Sequence, residues 1–191
     1  DYLSLSSHKI HGPKGVGALF VRKPGFFTEF IFGGKSQEFG LRGGTENVAG
    51  IVGFGAACEL ADERLANNVN KILSCHLAFS ETLENALEDF GISEKLHYNS
   101  PCPGKVLNIR FDGIRSETLL MALDSQGVCV SAGSACNASD GKPSHVLKAL
   151  GLTDDEARSS MRISFSKNNT ISESIEAAKI MAKTVKMLLN I

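Results

Sequence analysis

The 191 residues include 20 basic and 21 acidic side chains, with 42% apolar and 21% charged residues, the balance of an ordinary folded protein rather than a disordered one. Near-neutrality gives no general pull toward nucleic acid or anionic lipid; no apolar run approaches the ~18 residues of a membrane span, and Asp1-Tyr2-Leu3-Ser4 is not a basic-then-apolar leader. Five scattered cysteines, an odd number without a C-x-x-C pair, argue against a disulfide framework or structural zinc and for a reducing, cytoplasmic setting in which a thiol can be kept for reactivity.

In chain order, Leu3–Ser6 alternates as a short strand and runs into Ser7-His8-Lys9 and the glycine-rich stretch Gly12-Pro13-Lys14-Gly15. Gly17–Arg22 reads as a second strand. Phe26–Phe32 reads as a third, hairpin-paired with the second across Pro24-Gly25. Residues 33–46 hold five glycines, which suits a backbone that closely approaches something. From about Asn47 to Phe90 apolar residues recur at three- and four-residue steps, a long helix stopped by Gly91, with a weak point expected at Asn67-Asn68. Val106–Phe111 is a strand, Ser116–Gln126 a helix closed by Gly127, and Val128–Ser131 a strand. Ala132–Lys142 is a small, polar loop holding Cys136. A helix follows Pro143 over Ser144–Leu150, Met161–Phe165 is a strand, and Ser172 opens a final helix with Glu173 and Glu176 suited to its dipole. The second half reads as a compact α+β unit. The first ~46 residues read as strands and loops without covering helices, like a piece of a larger sheet.

Several residues are candidates for chemistry. Gly12–Gly17 matches neither the P-loop nor the dinucleotide fingerprint, and a tight turn explains it. Ser6-Ser7-His8-Lys9 groups hydroxyls, an imidazole and an amine at a strand end. Lys9 is either a solvated charge or an amine nucleophile. Cys136, in a loop of small residues, is either a packing or a reactive thiol, and Cys129, inside an apolar strand, is the contrasting core case. His145 with Cys136 makes too few ligands for a tetrahedral metal site.

Ser6-Ser7-His8-Lys9-Ile10-His11-Gly12-Pro13-Lys14-Gly15-Val16-Gly17 resembles the pyridoxal-phosphate lysine motif of the cysteine desulfurases, within the class-V aminotransferases. Gly33-Gly34, Gln37-Glu38 and Gly40-Leu41-Arg42-Gly43-Gly44-Thr45-Glu46-Asn47 resemble their next signature. Ser131-Ala132-Gly133-Ser134-Ala135-Cys136 and Pro143-Ser144-His145 resemble their active-site cysteine loop, in the form of the NifS/IscS-like group. Ser159-Ser160-Met161-Arg162-Ile163-Ser164 resembles their arginine strand, although Ser166-Lys167 stands where the family often has Gly-Arg.

This resemblance, over essentially the whole chain, implies the tail of a fold-type-I pyridoxal-phosphate transferase large domain (1–65) followed by its C-terminal small domain (66–191), an α/β to α+β fold. It implies that Lys9 forms a Schiff base with pyridoxal 5'-phosphate, that Ser6 and His8 hold the phosphate, and that Thr45 reaches the cofactor of a neighbouring subunit in a homodimer. Cys136 is the implied sulfur-accepting nucleophile and Arg162 the clamp on the substrate carboxylate. The implied reaction converts L-cysteine to L-alanine and leaves a persulfide for a sulfur-acceptor protein, serving iron–sulfur cluster assembly or thiolation. The chain is about half the expected length and has no initiator methionine, so it is expected to be a C-terminal part, inactive in isolation. The rival readings are a related class-V lyase and an inactive fragment that only binds acceptors.

Overall fold

The computed structural model describes residues 1–23, 37–99, 103–132 and 143–190. The chain divides into two compact units, Asp1–Leu65 and Ala66–Ile191.

In the first unit, β1 (Tyr2–Ser6) and β2 (Gly17–Val21) form an antiparallel ribbon in a register running from Tyr2↔Val21 to Ser6↔Gly17. The second strand thus pairs with the first; its expected hairpin partner, Phe26–Phe32, lies outside the described residues. Period-two alternation puts Leu3, Leu5 and Phe20 on one face and Tyr2 and Leu19 on the other, and all five are exposed, Leu3 at 54% and Phe20 at 52%. A 3₁₀ turn, Ser7–Ile10, follows β1 directly. Helix α1 (Val48–Glu63) starts where the Asn47 side chain accepts a hydrogen bond from the Gly50 N–H at 3.1 Å, a standard N-cap. It buries Gly50, Phe54 and Ala57 as one stripe. Its other faces are also apolar, yet Val48, Ile51, Val52 and Leu60 stay exposed.

The expected long helix is two. Helix α1 ends at Arg64, whose φ of −106° leaves the helical range, and α2 (Leu65–Asp89) runs unbroken through Asn67-Asn68. Two asparagines cost at most roughly 0.7 kcal/mol each in helix propensity, too little to break a helix anchored by Phe79, Leu83 and Leu87.

The second unit is a sheet of order β3-β4-β6-β5, antiparallel throughout, made of β3 (Leu96–Tyr98), β4 (Val106–Phe111), β5 (Ser131–Ala132) and β6 (Ser160–Ser164). Leu107, Ile109 and Phe111 of β4 and Met161 and Ile163 of β6 share one face. They bury against α2, α3 (Ser116–Asp124) and α6 (Ile171–Leu188), which contribute Leu83, Leu87, Leu119, Leu123, Met181 and Val185. The opposite face carries the intervening residues, which are polar. Two short helices, α4 (His145–Ala149) and α5 (Asp154–Ser159), precede β6.

Gly91 and Gly127 end their helices with φ of +69° and +79°, a region that glycine enters without a Cβ penalty. Each belongs to a Schellman motif: Ile92 N–H donates to Leu87 O at 2.9 Å, and Val128 N–H to Leu123 O at 3.0 Å. The second motif explains why the expected strand Val128–Ser131 shrinks. Val128 spends its amide on the end of α3, and among the described residues of this segment Ser131 and Ala132 pair with β6. A half-open cavity of about 430 Å³ separates Val128–Val130 from β6 and α6. The final helix begins one residue earlier than expected. Thr170 Oγ1 accepts from Glu173 N–H at 3.1 Å, and Glu173 Oε2 accepts from Thr170 N–H at 2.8 Å, a reciprocal capping box.

Candidate active site

In the first unit, the residues singled out from the sequence collect where β1 becomes the 3₁₀ turn. Ser6 is the last residue of the strand, and His8 and Lys9 sit in the turn with exposed side chains. None of the three makes a side-chain hydrogen bond or ion pair among the described residues. His11 closes the turn in the left-handed region, at φ 67°. The Ser7 N–H donates to Val16 O at 3.1 Å and the Gly12 N–H to Ser7 O at 3.0 Å. The glycine-rich stretch is therefore a tight turn folded back on the strand end.

That turn lies on the small-residue stripe of α1. A Cβ at Gly12 would sit 2.1 Å from Ser7 Oγ and 3.0 Å from the Ala57 Cβ; one at Gly53 would sit 2.7 Å from Pro13 Cγ. Glycine at both positions lets the backbone of one element approach the small side chain of the other, Gly12 against Ala57 and Gly53 against Pro13. Ser7 itself is fully buried, and its hydroxyl has no hydrogen-bond partner among the described residues, an unfavourable arrangement held by this close packing. With Ser7 turned inward, the hydroxyl of Ser6, the imidazole of His8 and the amine of Lys9 are the groups left at the strand end. A hydroxyl, an imidazole and an amine side by side are groups that could hold a phosphorylated aldehyde such as pyridoxal phosphate. Thr45 is exposed, just before the cap of α1, in a segment where Gly44 N–H donates to Gln37 Oε1 at 3.0 Å.

In the second unit, Arg162 lies at the middle of β6, directly opposite Asn108 on β4 and Ser131 on β5. It is half-buried, and its side chain makes no hydrogen bond or ion pair among the described residues. Beside it on the open face runs a polar network. Arg110 donates through Nη2 to Glu156 Oε1 and through Nη1 to Asn99 Oδ1, both at 2.8 Å. Asn99 Nδ2 donates to Asn108 Oδ1 at 2.7 Å and to Ser160 Oγ at 2.9 Å. Ser160 Oγ donates to Glu156 O at 2.7 Å. Glu156 also closes a capping box on Thr153, accepting from its N–H at 2.8 Å. The Thr153 amide and hydroxyl, with Arg110 adding its charge, hold the Glu156 carboxyl below its ordinary value.

Sequence reasoning passed over this network. Its only trace is the alternation of Asn108 and Arg110 with the apolar residues of β4. Cys129 is a correction: it is exposed, whereas Val128 and Val130 turn toward the core, so alternation puts the thiol on the solvent side. Among the described residues Cys75 is the buried free cysteine, its Sγ 3.7 Å from Asn169 O. Cys136 lies outside the described residues. His145 is exposed at the start of α4. Among the described residues, no helix is long and apolar enough to cross a membrane.

The family described as Aminotransferase class-V matches residues 1–177; the chain belongs to that family. Its relatives include a putative cysteine desulfurase IscS 1 of Bacillus subtilis (strain 168), 43% identical over 189 residues, covering 98% of this chain and 49% of the relative. A cysteine desulfurase of Nostoc sp. is 37% identical over 188 residues, covering 98% and 46%. A solved NifS-like protein superposes with a TM-score of 0.73 at 34% identity, covering all of this chain and 47% of the other. The structure described as SspA in complex with cysteine gives 0.58 at 34% identity, covering 87% and 44%. The chain thus spans about half the length of the relatives it matches.

Proposed function

We propose that this chain carries the lysine, thiol and carboxylate-binding arginine of a pyridoxal-phosphate-dependent cysteine desulfurase. The observation that carries this reading is structural. A chain matched by the class-V aminotransferase family over residues 1–177 carries Ser6, His8 and Lys9 at one strand end with side chains that make no hydrogen bond or ion pair among the described residues, where a phosphate and an aldehyde can be met together.

In this reading Ser6 and His8 donate hydrogen bonds to the cofactor phosphate, and Lys9 anchors the cofactor covalently. Bound pyridoxal phosphate supplies an electron sink for negative charge at the substrate Cα. Lys9, once freed, accepts the Cα proton as general base. Arg162 offers a planar fork to the substrate carboxylate. The Cys136 thiolate attacks the sulfur of L-cysteine: an S–S bond forms, the Cβ–S bond breaks with its electron pair left on Cβ, Cβ takes up a proton, and Lys9 returns a proton to Cα. The products are L-alanine and an enzyme persulfide, and the sulfur then passes to an acceptor protein. Thr45 contributes to the site of a second copy in a homodimer, and the setting is cytoplasmic. The exposed apolar ribbon of the first unit favours activity only when further chain covers it.

The test supplies L-cysteine and pyridoxal phosphate to the assembled enzyme and measures alanine, sulfide, pyruvate and ammonia. Alanine and sulfur in equal amounts, with persulfide lost in Cys136→Ala and retained in Cys129→Ala, support the reading. Pyruvate and ammonia in place of alanine would instead establish a lyase.

A further inference from the structure

We propose that Gly53 of α1 is a positioning residue for Lys9: it seats Pro13 against the helix and so sets where the Lys9 amine meets the cofactor aldehyde. This rests on the reading of Lys9 as the lysine that anchors the cofactor.

The turn that carries Lys9 is held at one end by the ribbon and at the other by α1. Ser6 is paired with Gly17 in the ribbon. Ser7 is fully buried, and its N–H donates to Val16 O at 3.1 Å. Beyond Lys9, the His11 and Gly12 amides both donate to the Ser7 carbonyl, Gly12 at 3.0 Å, and the chain then meets α1 at Pro13. A Cβ at Gly53 would lie 2.7 Å from Pro13 Cγ and 3.2 Å from its Cδ, so the ring packs on bare helix backbone. Ala57, on the same face of α1, meets Gly12 in turn, 3.0 Å from where a Gly12 Cβ would be. A proline ring cannot swing aside as a flexible chain does, because it closes on its own backbone nitrogen. A methyl at Gly53 therefore displaces the backbone of Gly12 and Pro13. The displacement reaches Lys9 through the short turn, while Ser6 stays in the ribbon. The two kinds of contact to the cofactor respond differently. The Lys9 amine must reach the aldehyde carbon, where a C=N bond replaces C=O and water leaves. A hydrogen bond to phosphate has a broad range of workable geometries.

The experiment measures two dissociation constants in the assembled enzyme: that of pyridoxal 5'-phosphate, and that of pyridoxamine 5'-phosphate, which keeps the phosphate but has no aldehyde for Lys9. Gly53→Ala is expected to raise the pyridoxal constant about tenfold, the scale of an overpacked contact, with the pyridoxamine constant within about twofold. Pro13→Ala removes the Cγ and Cδ that the new methyl would meet, and with them the support of the turn. It should raise the pyridoxal constant about threefold and leave the other unchanged. The double variant should stay near that threefold level, instead of the roughly thirtyfold rise of two independent effects. Should Gly53→Ala fail to fold, Pro13→Ala decides by the same split between the two constants. If these variants leave the pyridoxal constant unchanged, raise both constants equally, or combine additively, the positioning role is wrong and the reading of Lys9 stands. If Lys9→Ala leaves the pyridoxal constant unchanged, the reading of Lys9 fails as well.

Discussion

The two units solve the problem of burial differently. In the second, Leu83, Leu87, Ile109, Leu123, Met161, Met181 and Val185 are completely buried by their own unit's sheet and helices. In the first, the ribbon is apolar on both faces and α1 apolar nearly all round, and much of that surface meets solvent, with Val52 at 67% exposure. A helix apolar on all sides belongs in an interior, and contiguous exposed apolar surface marks a place that something covers. The groups proposed to hold the cofactor therefore sit on the unit that depends on cover. The arginine proposed to hold the substrate sits on the self-sufficient one. Cofactor retention and the integrity of the second unit should respond to different perturbations.

The largest separation comes from Lys9→Ala. In the assembled enzyme it should lower the rate of alanine release by at least about 10²–10⁴-fold, the range for a lost acid–base group. The urea midpoint of the second unit should not move. A parallel loss of stability would mean that Lys9 has a structural role as well.

Next is a pair of core substitutions in the 191-residue chain, followed by urea denaturation. Leu83→Ala should destabilise the second unit by about 2–5 kcal/mol, through lost burial and the cavity left behind. Leu3→Ala should change stability by no more than about 0.5 kcal/mol while its surface is uncovered. Equal costs would break the contrast.

Gly12→Ala tests the close approach of the turn to α1. The added Cβ meets Ser7 Oγ at 2.1 Å, so the substitution should cost about 1–3 kcal/mol, the range for overpacking. It should also weaken cofactor retention, measured by visible absorbance after dialysis. Gly55→Ala, with nothing within 4 Å of its Cβ, is the control.

The smallest effect is a pH dependence of the second unit. The folded Glu156 carboxyl is held below its ordinary value of 4.5. Its contribution is therefore fully present above that value and is lost as pH falls through the lower folded value. The stability difference between the parent and Glu156→Gln should shrink between pH 6 and pH 3, while the first unit shows no such change.

Much of the second unit was legible because its signals are local. Gly91 and Gly127 announce helix ends, and the alternation over Val106–Phe111 announces a strand. Helix α5 was missed although Thr153-Asp154-Asp155-Glu156 spells a capping box, because six residues are too few for a helical period to show. The three-residue β3 escaped for the same reason. Cys129 was misread because one apolar run fits both a fully buried strand and a segment whose middle residue faces out; the difference lies in the Val128 amide being taken by α3. At the candidate site, Ser6, His8, Lys9 and Arg162 stood out by residue type and motif. The inward turn of Ser7 and the contact of Gly12 with α1 did not, since they depend on a helix more than 35 residues further on. The same holds for the Asn99–Asn108 pair, which two strands bring together.

The account rests most on Lys9 being the amine that anchors the cofactor. Borohydride reduction of the holoenzyme fixes that link permanently, and proteolysis with mass spectrometry locates it. The account predicts a single pyridoxyl-labelled peptide spanning Ser7–Lys14, with the label on Lys9. Label on Lys14 or Lys35 would contradict it.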